Sequence, residues 1–144
     1  MHIARKFSRT LAGLVLFLPA AVATAEVVVI VSAKNPTASL TADQASDIFL
    51  SNSGSFPGGG QAVPVDQAEG SALRDEFYTR TSGKSPAQVK AFWSKMIFTG
   101  KGRPPKEVGD SLAVKKLVAD NPNLIGYIDR NAVDASVKVV LTVR

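Results

Sequence analysis

The sequence predicts a single α/β domain, with a small, mostly parallel sheet flanked by helices. Residues 26–33 form a continuous β-branched apolar run, which is typical of a strand buried on both faces of a sheet. Capped helical segments alternate with further strand-like segments along the chain, and this alternation favours a sheet covered by helices. A length of 144 residues with 45% hydrophobic content is enough to bury one core.

The N-terminal segment, residues 1–25, is predicted to be a signal peptide. It begins with three basic residues: Arg5, Lys6 and Arg9. An apolar segment follows at residues 11–22, and Ala23, Thr24 and Ala25 match the small-x-small cleavage pattern. The apolar segment is shorter than the ~20 residues of a spanning helix, so we expect export and cleavage rather than anchoring. We therefore place one periplasmic domain at residues 26–144.

Without the signal peptide the domain is close to neutral. Removing its three cations from the 17 basic residues leaves 14, against 12 acidic residues, for a net charge of +2. This balance does not favour non-specific binding of nucleic acid. One loop remains locally basic, with Lys101, Arg103 and Lys106 among glycines and prolines. This loop either steers anions towards the domain or is a solvated connector.

The first helix follows the buried strand after a short turn. Lys34, Asn35 and Pro36 end the strand. Thr41 then provides an N-cap hydroxyl and Gln44 a partner three residues on, so we expect a capping box. The apolar side of this helix is predicted to contain Ala45, Ile48 and Phe49.

The middle of the chain is predicted to contain a loop and a short strand. Residues 51–60 are rich in glycine and serine with one proline, which indicates a loop or an irregular hairpin tip. Residues 62–65 indicate a strand, and Pro64 favours an edge or the end of a strand.

The clearest helix of the chain begins after Ser85. Pro86 occupies the first helical position, and Gln88 completes a second capping box. Its apolar stripe follows helical spacing: Val89, Phe92, Trp93, Met96 and Ile97. Because this stripe accounts for the tryptophan, we expect it to pack in the core rather than serve as a stacking platform.

A fourth helix and two strands complete the domain. The helix is predicted at residues 111–120, and the two strands at 124–129 and 136–143. The inward side of the helix is predicted to contain Leu112, Leu117 and Val118. Gly126, within the first of these strands, indicates a bend or a close approach of backbone.

Composition excludes several catalytic chemistries. The chain contains no cysteine, and its only histidine, His2, lies in the predicted signal peptide. A Ser/His/Asp triad, a thiol nucleophile and a histidine or cysteine metal site are therefore not available to residues 26–144. No pair of acids lies in an apolar run that would raise one pKa. We expect a binding protein without cofactor or metal, and not an enzyme.

The candidate site lies at a helix start. Gly70 and Ser71 lead directly into a helical segment with Arg74 in its first turn. The first amides of a helix have no internal partner, and its dipole adds about half a positive charge, so such a start can bind an anion. The Ser71 hydroxyl and the Arg74 guanidinium can add hydrogen bonds to an oxyanion. We predict anion binding by Gly70, Ser71, Ala72 and Arg74.

A plainer interpretation of the same residues is open. Ser71 is then only an N-cap, while Arg74 and Asp75 are ordinary solvated charges. The residue pattern alone does not decide between the two, because a capped helix after a glycine is common.

The order of motifs resembles the phosphate-binding proteins of phosphate ABC transporters, within the type II periplasmic solute-binding family. The matching segments are VVVIVSAKNP, LTADQASDIF, VPVDQAEGSALRDEF and NPNLIGYID. In that family a strand ending in Asn-Pro leads to Leu-Thr-x-x-Gln-x-x-x-Ile-Phe, then to an Asp-Gly-Ser-Gly-Thr helix start that binds phosphate, and later to a Gly-Tyr strand. The resemblance spans nearly all of residues 26–144. It implies one lobe of a type II periplasmic binding protein-like fold.

The phosphate motif of the family is altered in this chain. Glu69-Gly70-Ser71-Ala72-Leu73 stands where the family has Asp-Gly-Ser-Gly-Thr. A backbone N–H remains at Ala72, but the threonine hydroxyl is lost at Leu73. The family's arginine falls at Gln67, which is neutral, and we expect Arg74 to substitute for it from within the helix. Fewer donors and one lost charge predict weaker or altered anion binding.

The resemblance implies a periplasmic protein that binds phosphate or a related oxyanion. The alternative is a non-catalytic envelope interaction module that retains the lobe but has lost its ligand. An enzyme acting on phosphate esters or glycans is disfavoured by the missing histidine, cysteine and acid pair. Family members hold ligand between two lobes, and about 119 residues suffice for one. We therefore expect either that an envelope partner or a second copy closes the half-cleft, or that the affinity for the anion is poor.

Overall fold

The computed structural model describes residues 12–17 and 25–144. Residues 1–11 and 18–24, which hold the cations and most of the cleavage motif of the predicted signal peptide, lie outside the described residues. That assignment remains a prediction. No helix within the described ranges is long and apolar enough to cross a membrane.

Five strands form one mixed sheet within residues 25–144. In chain order they are β1 (Val27–Ser32), β2 (Val63–Asp66), β3 (Lys106–Glu107), β4 (Leu124–Asp129) and β5 (Val137–Thr142). Their spatial order is β3-β2-β4-β1-β5. β2 runs parallel to β3 and β4, whereas β1 runs antiparallel to β4 and β5. The predicted α/β class is confirmed, and parallel pairing occupies the β3-β2-β4 half of the sheet.

β1 lies at the centre of the core. All six of its residues are buried, as the apolar run predicted. Because successive side chains of a strand point to opposite faces, Val27, Val29 and Val31 join one apolar cluster, and Val28 and Ile30 join another. One strand therefore supplies both faces of the core.

Four helices cover the two faces of the sheet. They are α1 (Ala42–Phe49), α2 (Ala72–Ser82), α3 (Pro86–Phe98) and α4 (Ser111–Asp120). The first three pack on the face that carries Val27, whereas α4 packs on the other face. The capping boxes predicted at Thr41 and Ser85 are both present.

Two of the predicted apolar stripes differ from the packing. In α4 the buried side chains are Val114 and Val118, whereas Leu112 and Leu117 are exposed. In α3 Trp93 is buried as predicted, but Ile97 is 56% exposed. α4 buries only one strip of its surface on the sheet, and α3 packs mainly against α2, which leaves Ile97 uncovered.

Gly126 allows α4 to lie directly on β4. A Cβ at this position would lie 2.4 Å from Val114 Cγ1 and 3.3 Å from Val118 Cγ2. Of the two roles predicted for this glycine, the structure shows the close approach. The contact sets the height of α4 above the sheet and, with it, the position of the α4 N-terminus.

Candidate functional site

The carboxyl ends of β2 and β4 meet the N-termini of α2 and α4 at one edge of the sheet. Because these strands are parallel neighbours, Gln67, which follows β2, and Asp129, which ends β4, lie at the same edge. A hollow of about 400 Å³ opens there, which we call the α2–α4 hollow. It is lined by Ala25, Gln67, Ala72, Leu73, Asp110, Ser111, Leu112 and Asp129. Ligands of open α/β sheets bind in crevices of this kind.

The N-terminus of α2 leaves two amides without a protein partner. Ser71 is the N-cap, and its hydroxyl oxygen accepts a hydrogen bond from the amide of Arg74. The first helical hydrogen bond runs from the amide of Asp75 to the carbonyl of Ser71. The amides of Ala72 and Leu73 therefore have no acceptor in the described part of the chain.

The N-terminus of α4 is built in the same way. Asp110 is the N-cap, and its carboxylate accepts from the amide of Ala113 at 3.0 Å. The amide of Val114 donates to the carbonyl of Asp110. Among the described residues, the amides of Ser111 and Leu112 have no acceptor. The hollow is thus lined by four residues with unpaired amides, two from each helix.

The two helix starts are joined to each other. Gly70 and Gly109 precede the two N-caps, and both adopt left-handed φ angles, of 89° and 108°, that favour glycine. The amide of Ala68, in the first turn, donates to the carbonyl of Gly109, in the second, at 3.1 Å. This hydrogen bond fixes the position of one helix start relative to the other.

Gln67 and Ser111 connect the two helix starts through their side chains. Gln67 Nε2 donates to Ser111 Oγ at 3.2 Å and to the carbonyl of Tyr127 at 3.0 Å, while its Oε1 accepts from Ser71 Oγ at 3.4 Å. Ser111 Oγ also accepts from the amide of Asp129 at 3.0 Å. The Ser111 hydroxyl oxygen thus accepts two hydrogen bonds, and its proton has no acceptor within residues 25–144. The hydroxyl is therefore available as a donor.

Arg74 does not line the hollow. Its guanidinium donates to the Glu107 carboxylate at 2.7 Å and to the Gln67 carbonyl at 3.0 Å. Its Nε lies 3.9 Å from Asp66 Oδ1, and only 13% of the side chain is exposed. Arg74 is therefore neither a solvated surface charge nor a cation presented to the hollow. It stabilises the turn that precedes α2.

Asp66 holds this arrangement from within the core. It is 1% exposed and accepts hydrogen bonds from the hydroxyls of Tyr78, at 2.7 Å, and Tyr127, and from the amide of Gln67 at 3.0 Å. Burial raises the pKa of Asp66, while the two tyrosines and the charge of Arg74 oppose this rise. Burial and the neighbouring carboxylate also raise the pKa of both tyrosines, so both hydroxyls remain protonated donors.

Two carboxylates lie at the hollow. Asp110 and Asp129 each accept a hydrogen bond from a backbone amide, Asp129 from Asn131 at 2.9 Å. Their negative charges oppose an anion, whereas the dipoles of α2 and α4 favour one. No cation is among the lining residues in the described chain. Likewise, no group of three or more His, Cys, Asp or Glu side chains that could hold a metal is present there.

The four predicted site residues do not all line the same cavity. Ala72 lines the α2–α4 hollow, whereas Gly70 and Arg74 line a second groove of about 350 Å³ between α2 and α3. Ser71 lies between them as the cap of α2. Ala72 and Leu73 thus line the hollow, and Arg74 lines the groove.

Comparison with known proteins identifies similar folds among solved structures, although no family model and no curated protein matches the chain. A protein assigned as a phosphate ABC transporter substrate-binding protein, from Clostridium perfringens and with bound phosphate, gives a TM-score of 0.66 at 28% identity. The alignment covers 81% of this chain and 44% of that protein. The chain has the fold of one lobe of the phosphate ABC transporter substrate-binding proteins.

Two further solved structures share the fold of this lobe. An ABC-type phosphate transport receptor from Vibrio cholerae gives a TM-score of 0.63 at 21% identity, over 81% of this chain and 45% of the receptor. PstS from Borrelia burgdorferi gives 0.57 at 11% identity, over 81% of this chain and 48% of PstS. The chain therefore spans less than half the length of each of these substrate-binding proteins. The family resemblance predicted from the order of the motifs is confirmed.

The α4 contribution to the α2–α4 hollow was not predicted from the sequence. Ser111 was assigned only to the start of a helix, and Gln67 only to the position of a lost arginine. The sequence around α4 did contain a pattern that could have indicated it. Gly109-Asp110-Ser111 has the same order of glycine, N-cap and first helical residue as Gly70-Ser71-Ala72. What the sequence does not show is that the two starts are joined by a backbone hydrogen bond.

Proposed function

We propose that this chain is a periplasmic solute-binding lobe that holds phosphate or a related oxyanion in the α2–α4 hollow. One observation carries the proposal: the first two residues of α2 and of α4 line one hollow, and their amides and the Ser111 hydroxyl have no acceptor among the described residues. Donors held in place by helices and by each other can bind an oxyanion without rearranging. The fold shared with proteins named for phosphate transport supports this choice of ligand.

The predicted residues take different roles in this site. Gly70 supplies the left-handed turn, and Ser71 caps α2 and donates to Gln67. Ala72 contributes an unpaired amide. Arg74 acts indirectly, because its hydrogen bond to the carbonyl of Gln67 holds the turn in place.

We infer binding rather than catalysis for this site. The solved neighbours are named as binding proteins and receptors, and residues 26–144 contain neither histidine nor cysteine. The periplasmic location rests on the predicted signal peptide, and a partner or second copy that closes the hollow stays a prediction. Both would be expected for a protein that serves an ABC transporter.

The alternative, an envelope interaction module without ligand, is favoured by one observation. Asp110 and Asp129 place two negative charges at the hollow, while the cation predicted to serve it, Arg74, pairs with Glu107 instead. The repulsion from these carboxylates offsets part of the attraction of the helix dipoles. Measured phosphate binding decides between the two functions.

The variant Ala72→Pro tests the proposed function. Proline is favoured at the first position of a helix, and Ser71, at ψ 126°, has the extended conformation that a following proline requires. The helix is therefore kept, but one unpaired amide N–H is removed from the hollow. We expect the dissociation constant for phosphate to rise about tenfold, as for the loss of one hydrogen bond to a charged group. Calorimetry in phosphate-free buffer measures it.

The variant Ala42→Pro is the matched control. It makes the same change at the first position of α1, after an N-cap at ψ 162°, and its amide does not serve the hollow. Phosphate binding should be unchanged. Ser111→Ala, which removes the available hydroxyl, should weaken binding to an extent similar to Ala72→Pro. Absence of any response to millimolar phosphate in the unmodified protein would favour the interaction module, and equal binding by all variants would place the anion elsewhere.

A further inference from the structure

A strongly basic segment lies outside the candidate site. Residues 84–106, which we call the basic segment, contain no acidic residue and six cations: Lys84, Lys90, Lys95, Lys101, Arg103 and Lys106. Of the 14 basic residues in 26–144, 8 remain for the rest of the domain, against 12 acidic residues, a net charge of −4. Positive charge is therefore concentrated in this segment of the chain, although the total charge of the domain is small.

Most cations of the basic segment are not neutralised by neighbours. Four of them are exposed and form no ion pair within the described part of the chain: Lys95, Lys101, Arg103 and Lys106. Lys90 lies 3.8 Å from Glu69, with both side chains largely exposed. Lys84 lies over the ring of Phe92. The positive charge of the segment is therefore available to an anionic partner.

The same segment carries an apolar tip. Phe98, the last residue of α3, is 92% exposed, and Ile97 beside it is 56% exposed. At 3.6 residues per turn, Phe98 lies nine residues and thus two and a half turns after the buried Val89, on the opposite side of the helix. Phe98 therefore faces away from the core that Val89 and Trp93 enter.

Cations and apolar side chains meet at this tip. A shallow hollow of about 400 Å³ is lined by Ile97, Gly100, Lys101, Gly102 and Arg103. Two cations beside an aliphatic side chain match the chemistry of a phospholipid, in which a phosphate lies directly above hydrocarbon. An anionic bilayer offers both negative charge and hydrocarbon to these side chains, whereas a purely charged protein surface would leave Phe98 in water.

We propose that the basic segment docks the domain on an anionic phospholipid surface. Phe98 and Ile97 enter the headgroup region, and Lys101 and Arg103 contact lipid phosphates. Interfacial binding of proteins combines exposed aromatic or aliphatic side chains with lysine and arginine in this way. The long aliphatic stems of these cations can lie along apolar surface while their charged ends stay at the phosphates.

Cosedimentation with lipid vesicles tests this proposal. Residues 26–144 serve as the protein, because all members of both apolar clusters lie between Val27 and Val143, and the full chain is measured in parallel. We expect binding to vesicles that contain phosphatidylglycerol and none to vesicles of phosphatidylcholine alone. Binding should weaken as salt is raised, because exposed charges are screened within about 8–10 Å at physiological ionic strength.

Two variants separate the electrostatic and apolar contributions. Lys101→Gln/Arg103→Gln should weaken vesicle binding about 25-fold, since each cation near an anionic surface contributes about a fivefold gain. Phe98→Ser should weaken it about tenfold through lost apolar burial. The controls are Lys116→Gln/Arg144→Gln, with the same change in net charge, and Leu117→Ser, which alters another exposed apolar residue. Neither control should change binding.

The vesicle experiment and the phosphate experiment can fail independently of each other. Phe98→Ser should retain phosphate binding and the circular dichroism of the unmodified protein, because its side chain is outside both the hollow and the core. The proposal is overturned by absence of vesicle binding at low salt, or by equal losses in variants and controls. Binding to an acidic protein without affinity for vesicles also overturns it.

Discussion

At the scale of single residues, Asp66 is the buried group on which the candidate site depends. It accepts from two tyrosine hydroxyls, and it immediately precedes Gln67, whose carbonyl binds Arg74 and whose side chain binds Ser111. The sequence placed Arg74 either on an anion or in solvent. The structure pairs it with Glu107, 33 residues away, and helical periodicity carries no information about such contacts. Its contribution to anion binding stays a prediction.

The variant Asp66→Asn should lower the free energy of unfolding by about 2 kcal/mol at neutral pH. The amide retains the shape of the carboxyl group, but its Nδ2 is a donor and cannot accept the bond from a tyrosine hydroxyl. Arg74 also loses one of its two carboxylate neighbours. Urea unfolding measures the change. Asp43→Asn, at an exposed site, is the control and should change the free energy by less than about 0.5 kcal/mol.

The same pair of proteins should show a specific pH dependence. The pKa of Asp66 is raised above 3.8 in the folded state. Between pH 3.8 and the folded pKa, the folded protein therefore binds more protons than the unfolded chain. The stability that the protonated Asp66 side chain contributes is fully present below pH 3.8, and it is lost as the pH rises through the folded pKa. The gap in unfolding free energy between the unmodified protein and Asp66→Asn should therefore narrow with rising pH. A gap that widens would show that the pKa is lowered instead.

At the scale of helices and strands, the sequence predicts the features that depend on residues a few positions apart. The capping boxes of Thr41 with Gln44 and of Ser85 with Gln88 each span four residues, and both are confirmed. The buried face of α4 was not predictable from spacing, because Leu112 and Val114 are both apolar. What selects Val114 is the missing side chain of Gly126 on the strand beneath it.

The variant Gly126→Ala should destabilise the domain by about 2 kcal/mol, as expected for overpacking. Its new Cβ would lie 2.4 Å from Val114 Cγ1, so α4 must shift away from β4. Val114→Ala alone should also destabilise, because it leaves a cavity. In the double variant the added methyl fills part of that cavity, and we expect a favourable coupling of about 1 kcal/mol. Strictly additive unfolding energies would show that the two elements do not pack as described.

At the scale of the whole molecule, the apolar run of β1 predicted its burial but not the direction of its neighbours. A strand covered on both faces has the same composition whether its partners run parallel or antiparallel. The direction follows from the path of the chain, in which β4 and β5 both return antiparallel to β1. The parallel pair β2 and β4 lies beside them, and the hollow forms where this pair ends.

The strength of phosphate binding depends on this open geometry. Ala72, Asp110 and Leu112 at the hollow are exposed, so hydrogen bonds to an anion there compete with water and act at a high effective dielectric constant. We expect a dissociation constant on the order of millimolar, equivalent to about −4 kcal/mol. Lowering the ionic strength from about 0.15 M to about 0.05 M, which still exceeds the contribution of millimolar phosphate, should tighten binding about twofold, because screening of the helix termini decreases.

Backbone NMR of residues 26–144 during a phosphate titration measures this behaviour directly. The largest shifts should occur at the four unpaired amides: Ala72, Leu73, Ser111 and Leu112. Sulfate at equal ionic strength reveals how much of the response belongs to any oxyanion. Tight binding that does not change with salt would contradict an open hollow. It would require a second surface to exclude water from the anion, and sedimentation velocity with and without phosphate would then detect the copy that provides it.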